Sequence, residues 1–113
     1  MKNALTYYQT IKETELNSRY ISYDHIVPLM RKIGLKFSID AIGKSVKGLL
    51  IQSIVLGEGS IKILLWSQMH GNESTTTKSV FDLLNAFLDD NTPDYIRQIL
   101  KDCTLTIIPM LNP

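Results

Sequence analysis

The stretch LLWSQMHGNESTTTKSVFDLL, residues 64–84, passes from an apolar run through a polar segment into an amphipathic pattern. The apolar run predicts a buried strand, and the hydrophobic residues that recur at helical spacing afterwards predict a helix that packs on a sheet. Between the two, His70 and Glu73 are separated only by Gly71 and Asn72. The sequence therefore places an imidazole and a carboxylate just beyond the carboxyl end of a predicted strand.

The segments on either side predict an α/β fold. Residues 36–45 alternate apolar and polar side chains, residues 49–57 form an apolar, β-rich run, and GKSVKG at their junction has the glycines of a hairpin turn. We also expect a strand over residues 61–69 that is covered on both faces. The remaining expected elements are a helix with Val80, Phe81, Leu84, Phe87 and Leu88 on one face, a short helix with Thr92 as cap and Pro93 as first residue, and a strand over residues 104–108. Together they predict a partial mixed sheet with covering helices.

The first third of the chain predicts helices. Residues 4–14 form a weak helical pattern, and residues 23–34 form a stronger one in which Pro28 predicts either a late start or a kink. We therefore expect an N-terminal helical lead, residues 1–34, followed by an α/β part, residues 35–113. The chain ends on Asn112-Pro113 with no helix after its last strand. This favours a fragment, in which the neighbours of that strand lie partly beyond Pro113.

Composition narrows the class of protein. With 113 residues, 44% of them hydrophobic, the chain can bury the core of one small domain. Its formal net charge of +1 and the lack of a basic stripe argue against nucleic acid or a membrane surface as partners. The N-terminus lacks the apolar region of a signal peptide, and the single cysteine excludes an internal disulfide. We expect a soluble cytoplasmic protein, and the sequence leaves its oligomeric state open.

His70 and Glu73 are the candidate site residues. Ligands bind beyond the carboxyl ends of the strands in open α/β sheets, and imidazole and carboxylate are both ligands of zinc. Gly71 is expected to let the backbone turn sharply, so that both side chains reach one metal ion. Glu73 is expected to begin the next helix, with the hydroxyl groups of residues 74–77 satisfying free amides in its first turn.

Less specific interpretations compete with a metal site. His-x-x-Glu arises by chance in roughly one chain in ten of this length, so a capped loop with a hydrogen-bonded histidine is an alternative. The other histidine, His25, lies on a predicted helix before the sheet, where a structural role is expected. Cys103 precedes a buried strand and is expected to be a small core residue rather than a nucleophile.

Three segments, taken in order along the chain, carry a family resemblance. WSQMHGNESTTTKSVFDLLNAF (66–87) and CTLTIIPMLNP (103–113) resemble the zinc-binding His-x-x-Glu and the strand leading into an Asn-Pro-Asp-Gly loop of the zinc metallocarboxypeptidases of the carboxypeptidase A type. GKSVKGLLI (43–51) resembles the upstream hairpin of that family, usually Gly-x-Ser-x-x-Gly-Arg-x-Ile, with Leu49 at the arginine position. The resemblance covers residues 37–113, and the first 36 residues resemble the helical lead of a bacterial subgroup less distinctively.

The resemblance implies that residues 35–113 are the N-terminal part of an α/β/α catalytic domain, truncated at Asn112-Pro113. His70 and Glu73 then match the first two zinc ligands. The histidine that completes the set, the general-base glutamate and the arginines that bind the substrate's terminal carboxylate all lie beyond Pro113. In the whole enzyme, zinc activates water to hydrolyse C-terminal amino acids from peptides. The chain alone contains no catalytic residue that the resemblance assigns, and we expect it to be inactive.

Two other functions stay open on the sequence. The zinc deacylases similar to aspartoacylase and succinylglutamate desuccinylase also carry His-Gly-Asn-Glu, although IIPMLNP and GKSVKG favour the peptidases. A non-catalytic binding module that kept the sheet and lost the chemistry is a candidate from another class. The residues that follow Pro113 in the parent gene would separate these functions.

Overall fold

The computed structural model describes residues 3–113 of the chain. The helices and strands follow in the order α1 (Ala4–Ile11), α2 (Tyr23–Ile33), β1 (Ser38–Lys44), β2 (Leu50–Gly57), β3 (Ile61–Trp66), α3 (Thr75–Leu88), α4 (Asp94–Asp102) and β4 (Cys103–Ile108). This order agrees with the sequence-based expectation of early helices, a hairpin, and then a strand, two helices and a strand.

The strands of residues 3–113 form one mixed sheet in the order β1-β2-β4-β3. β2 pairs antiparallel with both β1 and β4, whereas β3 and β4 are parallel. The predicted α/β fold with a partial mixed sheet is thereby confirmed. The expectation that β4 has neighbours beyond Pro113 is wrong, because β2 and β3 occupy its two edges. The crossover through α3 and α4 returns the chain to the slot between the hairpin and β3, as parallel strands require.

Strand β3 lies at the outer edge of the sheet. It pairs with β4 on one side, and its apolar side chains Ile61, Leu64 and Trp66 are 56%, 55% and 49% exposed. The prediction of a strand over residues 61–69 covered on both faces is therefore wrong in its burial and in its end. An apolar run indicates which side chains favour burial, whereas the neighbours that bury them are specified elsewhere in the chain.

The turn between β2 and β3 brings the backbone close to the start of β4. Gly57 has a φ of +85°, and a side chain there would collide with the carbonyl group of Cys103. Nearby, the Thr104 hydroxyl donates a hydrogen bond to the Gly59 carbonyl at 2.7 Å. Glycine is thus required at position 57 by both conformation and space. Cys103 is buried, as expected of a core residue.

The core lies between the sheet and the helices. Ile54 and Ile107 are register partners on β2 and β4, and both are fully buried. Phe81 and Leu84 of α3 belong to the same cluster, and burying each of these four side chains contributes about 1.5–3 kcal/mol. The N-terminal segment joins this core through Leu16, Ile21, Ile26, Leu29, Met30 and Ile33. Residues from both ends of the chain therefore stabilise the same hydrophobic cluster.

One helix start agrees with the range expected from the sequence, and another differs from it. Helix α2 begins at Tyr23 and continues through Pro28, so it does not start late. Helix α4 begins at Asp94 with Pro93 at the capping position, and Thr92 is not its cap. The Thr92 hydroxyl is instead within 2.8 Å of the Tyr7 hydroxyl, which ties the loop before α4 to α1. Within residues 3–113, none of the helices combines the length and the hydrophobicity that crossing a bilayer requires.

Candidate metal site

Residues 67–74, here named the site loop, connect β3 to α3. The loop begins at the carboxyl end of β3, where the Ser67 amide donates to the Ile108 carbonyl at 3.0 Å and extends the pairing with β4. Helix α3 begins at Thr75, so Glu73 lies in the loop and does not begin the helix as the sequence suggested. The loop therefore lies beyond the carboxyl ends of the strands, where ligands bind in open α/β folds.

The side chains of His70 and Glu73 converge on the outer surface of the site loop. The His70 Nδ1 atom lies 2.8 Å from the Glu73 Oε2 atom, and the two side chains are 63% and 67% exposed. The Glu73 amide also donates to the His70 carbonyl at 3.0 Å, which closes a turn between the two residues. The expected convergence of the two side chains is found. Their role as metal ligands stays a prediction.

The distance between the two side chains fits one zinc ion after a small adjustment. Ligand bonds of about 2.0–2.2 Å at a tetrahedral angle separate two ligating atoms by about 3.4 Å. The Nδ1 and Oε2 atoms would have to move apart by a fraction of an ångström, and the hydrogen bond between them would be lost. That loss is small because an exposed pair of this kind contributes only about 0–1 kcal/mol. The donor set, one imidazole nitrogen and one carboxylate oxygen, is chemically suited to zinc.

The sharp backbone turn of the site loop lies at Gln68 and not at Gly71. Gln68 has a φ of +51°, and it is the one non-glycine residue among residues 3–113 with a positive φ. Gly71 does not adopt a positive φ, and a Cβ atom there would meet the Asn112 carbonyl at 3.4 Å, an ordinary contact distance. The expectation that Gly71 supplies the turn is therefore wrong. Sequence reasoning missed Gln68 because glutamine is not a residue that signals a left-handed backbone.

Buried polar groups hold the site loop from below. Ser67, Gln68 and Thr77 are 3%, 4% and 0% exposed. The Thr77 hydroxyl donates to the Gln68 Oε1 atom at 2.7 Å, and the Ser67 hydroxyl donates to the Pro109 carbonyl. The Ser74 hydroxyl donates to the Arg19 carbonyl at 2.7 Å. The expectation that hydroxyl groups of residues 74–77 cap helix α3 is therefore wrong for Ser74 and Thr77, because these groups join neighbouring segments.

The two candidate ligands do not meet a third one in the part of the chain that the structure describes. Across residues 3–113, no group of three or more His, Cys, Asp or Glu side chains is arranged to hold a metal ion. The Nδ1 atom of His25 accepts a hydrogen bond from the Ser22 amide at 2.9 Å and lies 2.9 Å from the Ser22 hydroxyl. His25 thus helps to cap α2, which agrees with its expected structural role.

Two clefts flank the site loop. One, with a volume of about 350 Å³, is lined by Glu73 together with Arg19, Tyr20, Asn72, Ser74 and Thr75. The Arg19 guanidinium lies 5.4 Å from the centre of the Tyr20 ring, at cation–π distance. The other cleft, of about 610 Å³, includes Gln68, Gly71 and Leu49, the residue at the position where arginine was expected. The loop therefore stands between two open concave surfaces.

Comparison with known families identifies one match that covers most of the chain. The family model described as zinc carboxypeptidase matches residues 26–113. This range includes the hairpin, the site loop and the last strand. A comparison with curated proteins finds no match.

Several solved structures of bacterial proteins are similar to this chain. They include a predicted carboxypeptidase A from Shewanella denitrificans, with 22% identity and a TM-score of 0.76 over 83% of this chain and 26% of that one. A metallo-carboxypeptidase from Burkholderia cenocepacia has 19% identity and a TM-score of 0.75 over 83% of this chain and 28% of that one. A Pseudomonas aeruginosa metallo-carboxypeptidase, in complex with (2-guanidinoethylmercapto)succinic acid, has 18% identity and a TM-score of 0.72 over 83% of this chain and 26% of that one. The likeness concerns the fold, and the chain spans about a quarter of the length of these structures.

Proposed function

The chain belongs to the zinc carboxypeptidase family, and from this premise we propose that His70 and Glu73 are two zinc ligands of a metallocarboxypeptidase that removes C-terminal amino acids from peptides. The observation that carries the proposal is the approach of His70 Nδ1 to Glu73 Oε2, 2.8 Å apart at the carboxyl end of β3. Since the chain spans about a quarter of its structural neighbours, the activity is that of a longer protein. The domain limits expected from the sequence, residues 1–34 and 35–113, belong to the same proposal.

Each residue of the pair has a distinct part in this function. The Nδ1 atom of His70 supplies a neutral nitrogen ligand, and the carboxylate of Glu73 supplies one negative charge to a divalent ion. When bound, zinc supplies a Lewis acid that polarises a carbonyl group and lowers the pKa of a water molecule. The large exposed fraction of both side chains leaves room for further ligands and for a peptide to approach. A catalytic zinc site has three protein ligands, so the remaining ligand comes from outside residues 3–113.

The family match also bears on the two alternatives. It is a match to the zinc carboxypeptidases, which supports a peptidase over a deacylase similar to aspartoacylase or succinylglutamate desuccinylase. A non-catalytic binding module would keep the sheet without needing His70 and Glu73 to face each other. The 2.8 Å approach of the two side chains also fits a hydrogen-bonded loop, so it is the match to the zinc carboxypeptidases that favours the metal-dependent function over that module.

The two histidines of the chain allow a direct test with an internal control. The chain is titrated with Zn²⁺ while the imidazole resonances of His70 and His25 are followed by NMR. We expect the His70 signals to shift, since its Nδ1 atom faces a carboxylate. The His25 signals should stay in place, because its Nδ1 atom accepts a hydrogen bond from the Ser22 amide.

Variants of two glutamates complete the test. Glu73→Gln keeps the shape of the side chain and removes its charge. It should lower the zinc affinity measured from the His70 shifts by about tenfold or more. Glu58→Gln is the matched control, because Glu58 is an exposed acid in the turn before β3, at the other end of that strand. Equal shifts of both histidines, or equal effects of the two variants, would show that zinc binds without using the pair.

A further inference from the structure

Gln68 occupies an unfavourable backbone conformation two residues before His70. A non-glycine residue in the left-handed region costs about 1–3 kcal/mol and persists only where the surroundings hold it. Gln68 is 4% exposed and has a φ of +51°. Its backbone carbonyl also accepts a hydrogen bond from the Asn112 amide at 3.1 Å, which ties the loop to the segment after β4. The strain thus lies at the start of the site loop.

The side-chain amide of Gln68 joins three segments of the chain, one of which is distant in sequence from the other two. Its Nε2 atom donates to the Ile21 carbonyl at 2.6 Å and to the Gly71 carbonyl at 2.8 Å. Its Oε1 atom accepts from the Thr77 hydroxyl at 2.7 Å. The amide therefore links the segment before α2, the site loop and the first turn of α3.

The bond to Gly71 reaches the backbone between the two candidate zinc ligands. Gly71 follows His70, and Glu73 is two residues further on. Since the His70 and Glu73 side chains are 63% and 67% exposed, packing does little to orient them. Their relative position depends on the backbone of residues 70–73, which is held by the Gln68 amide and by the bond from the Glu73 amide to the His70 carbonyl.

We propose that Gln68 is a positioning residue, whose buried amide holds the site loop in the conformation that brings His70 and Glu73 together for a divalent metal ion. This inference rests on the proposed function for the metal itself. It concerns the order of the loop as well, which is measurable without metal. If Gln68 served folding alone, its substitution would lower the stability of the whole chain and would not selectively reduce the order of residues 70–73.

Substitutions at Gln68 separate the backbone conformation from the amide. The residues introduced by Gln68→Gly and Gln68→Asn both tolerate a positive φ. Glycine has no side-chain amide, and the shorter asparagine side chain cannot reach both the Ile21 and the Gly71 carbonyl groups. Ser67→Ala is the matched control, because Ser67 is a neighbouring residue that is equally buried and its hydroxyl forms hydrogen bonds with Pro109 and Thr77 and none with residues 70–73.

The first measurement is the backbone order parameter of residues 70–73 in the metal-free chain, by ¹⁵N relaxation. We expect values near about 0.85 in the wild-type chain and in Ser67→Ala, and values below about 0.6 in both Gln68 variants. The second measurement is the zinc affinity obtained from the His70 shifts during a Zn²⁺ titration. Both Gln68 variants should bind zinc about 10- to 100-fold more weakly than the wild-type chain.

The two measurements distinguish the failure of either proposal. Order parameters in the Gln68 variants equal to those of the wild-type chain would overturn the positioning role, as would a loss of order in Ser67→Ala of the same size. A wild-type chain with an ordered loop and no zinc-induced shift of His70 would contradict the proposed zinc pair, and the order parameters would still decide the role of Gln68.

Discussion

Replacing Thr77 by valine tests the buried hydrogen bonds that support the site loop. Valine has nearly the same shape as threonine and a similar helix propensity, so the change removes the hydroxyl group and leaves the packing of α3 in place. Thr77 is fully buried, and its hydroxyl is the hydrogen-bond partner of the Gln68 Oε1 atom. In residues 3–113, every fully buried side-chain nitrogen or oxygen atom has a hydrogen-bond partner. The variant would leave the Gln68 oxygen without one.

The size of the effect follows from that unsatisfied oxygen. Leaving a buried acceptor without a partner costs about 1–3 kcal/mol. With a dependence on urea of about 1–3 kcal/mol per molar, the midpoint of unfolding should fall by about 1 M. The zinc affinity should fall less than in the Gln68 variants, because the bond from Gln68 Nε2 to the Gly71 carbonyl is retained.

The assay is urea unfolding followed by circular dichroism, with Thr76→Val as the control. Thr76 lies next to Thr77 in the same turn of α3 but is exposed, so its replacement should change the free energy of unfolding by less than about 0.5 kcal/mol. Equal midpoints for the two variants would refute the reasoning, because they would show that the Thr77 hydroxyl contributes no more than an exposed one.

Three further predictions concern activity, association and pH. The zinc-loaded chain should release no C-terminal amino acid from peptides above a chelator-treated background, because residues 3–113 bring together two ligands where a catalytic site has three. Release that a chelator abolishes would contradict this prediction. The exposed apolar edge strand β3 should drive self-association, so Leu64→Lys should reduce association in sedimentation velocity. Leu35→Lys is the control and should not reduce it, because Leu35 is 89% exposed but lies outside the sheet. A wild-type chain that stays monomeric at high concentration would refute association through β3. The negative charge of Asp82, with smaller contributions from desolvation and the hydrogen bond, raises the pKa of Tyr8. Stability should therefore decline as the pH rises above about 10, where the unfolded chain loses this proton first, and Tyr8→Phe should remove part of that decline in thermal unfolding.

The local elements of this protein could be predicted from the order of its residues. Alternation along residues 36–45 and the glycines of GKSVKG predict the hairpin, and the spacing of Val80, Phe81 and Leu84 predicts α3. The pair of His70 and Glu73 was found in the same way, because a short turn after a strand keeps residues three apart close together. These features depend on neighbours within a few residues, so periodicity and turn chemistry are sufficient to specify them.

Only the tertiary structure decided the order of the strands and the support of the site. Periodicity gives no information about which strand lies at an edge, so β3 was expected to be covered, and β4 was expected to have neighbours beyond Pro113. The left-handed backbone at Gln68 likewise depends on tertiary contacts. Its amide bonds to Ile21, Gly71 and Thr77, and two of these partners are 47 and 9 residues away. A strained conformation held by contacts from distant segments has no local signal, because the free energy that stabilises it comes from the assembled fold.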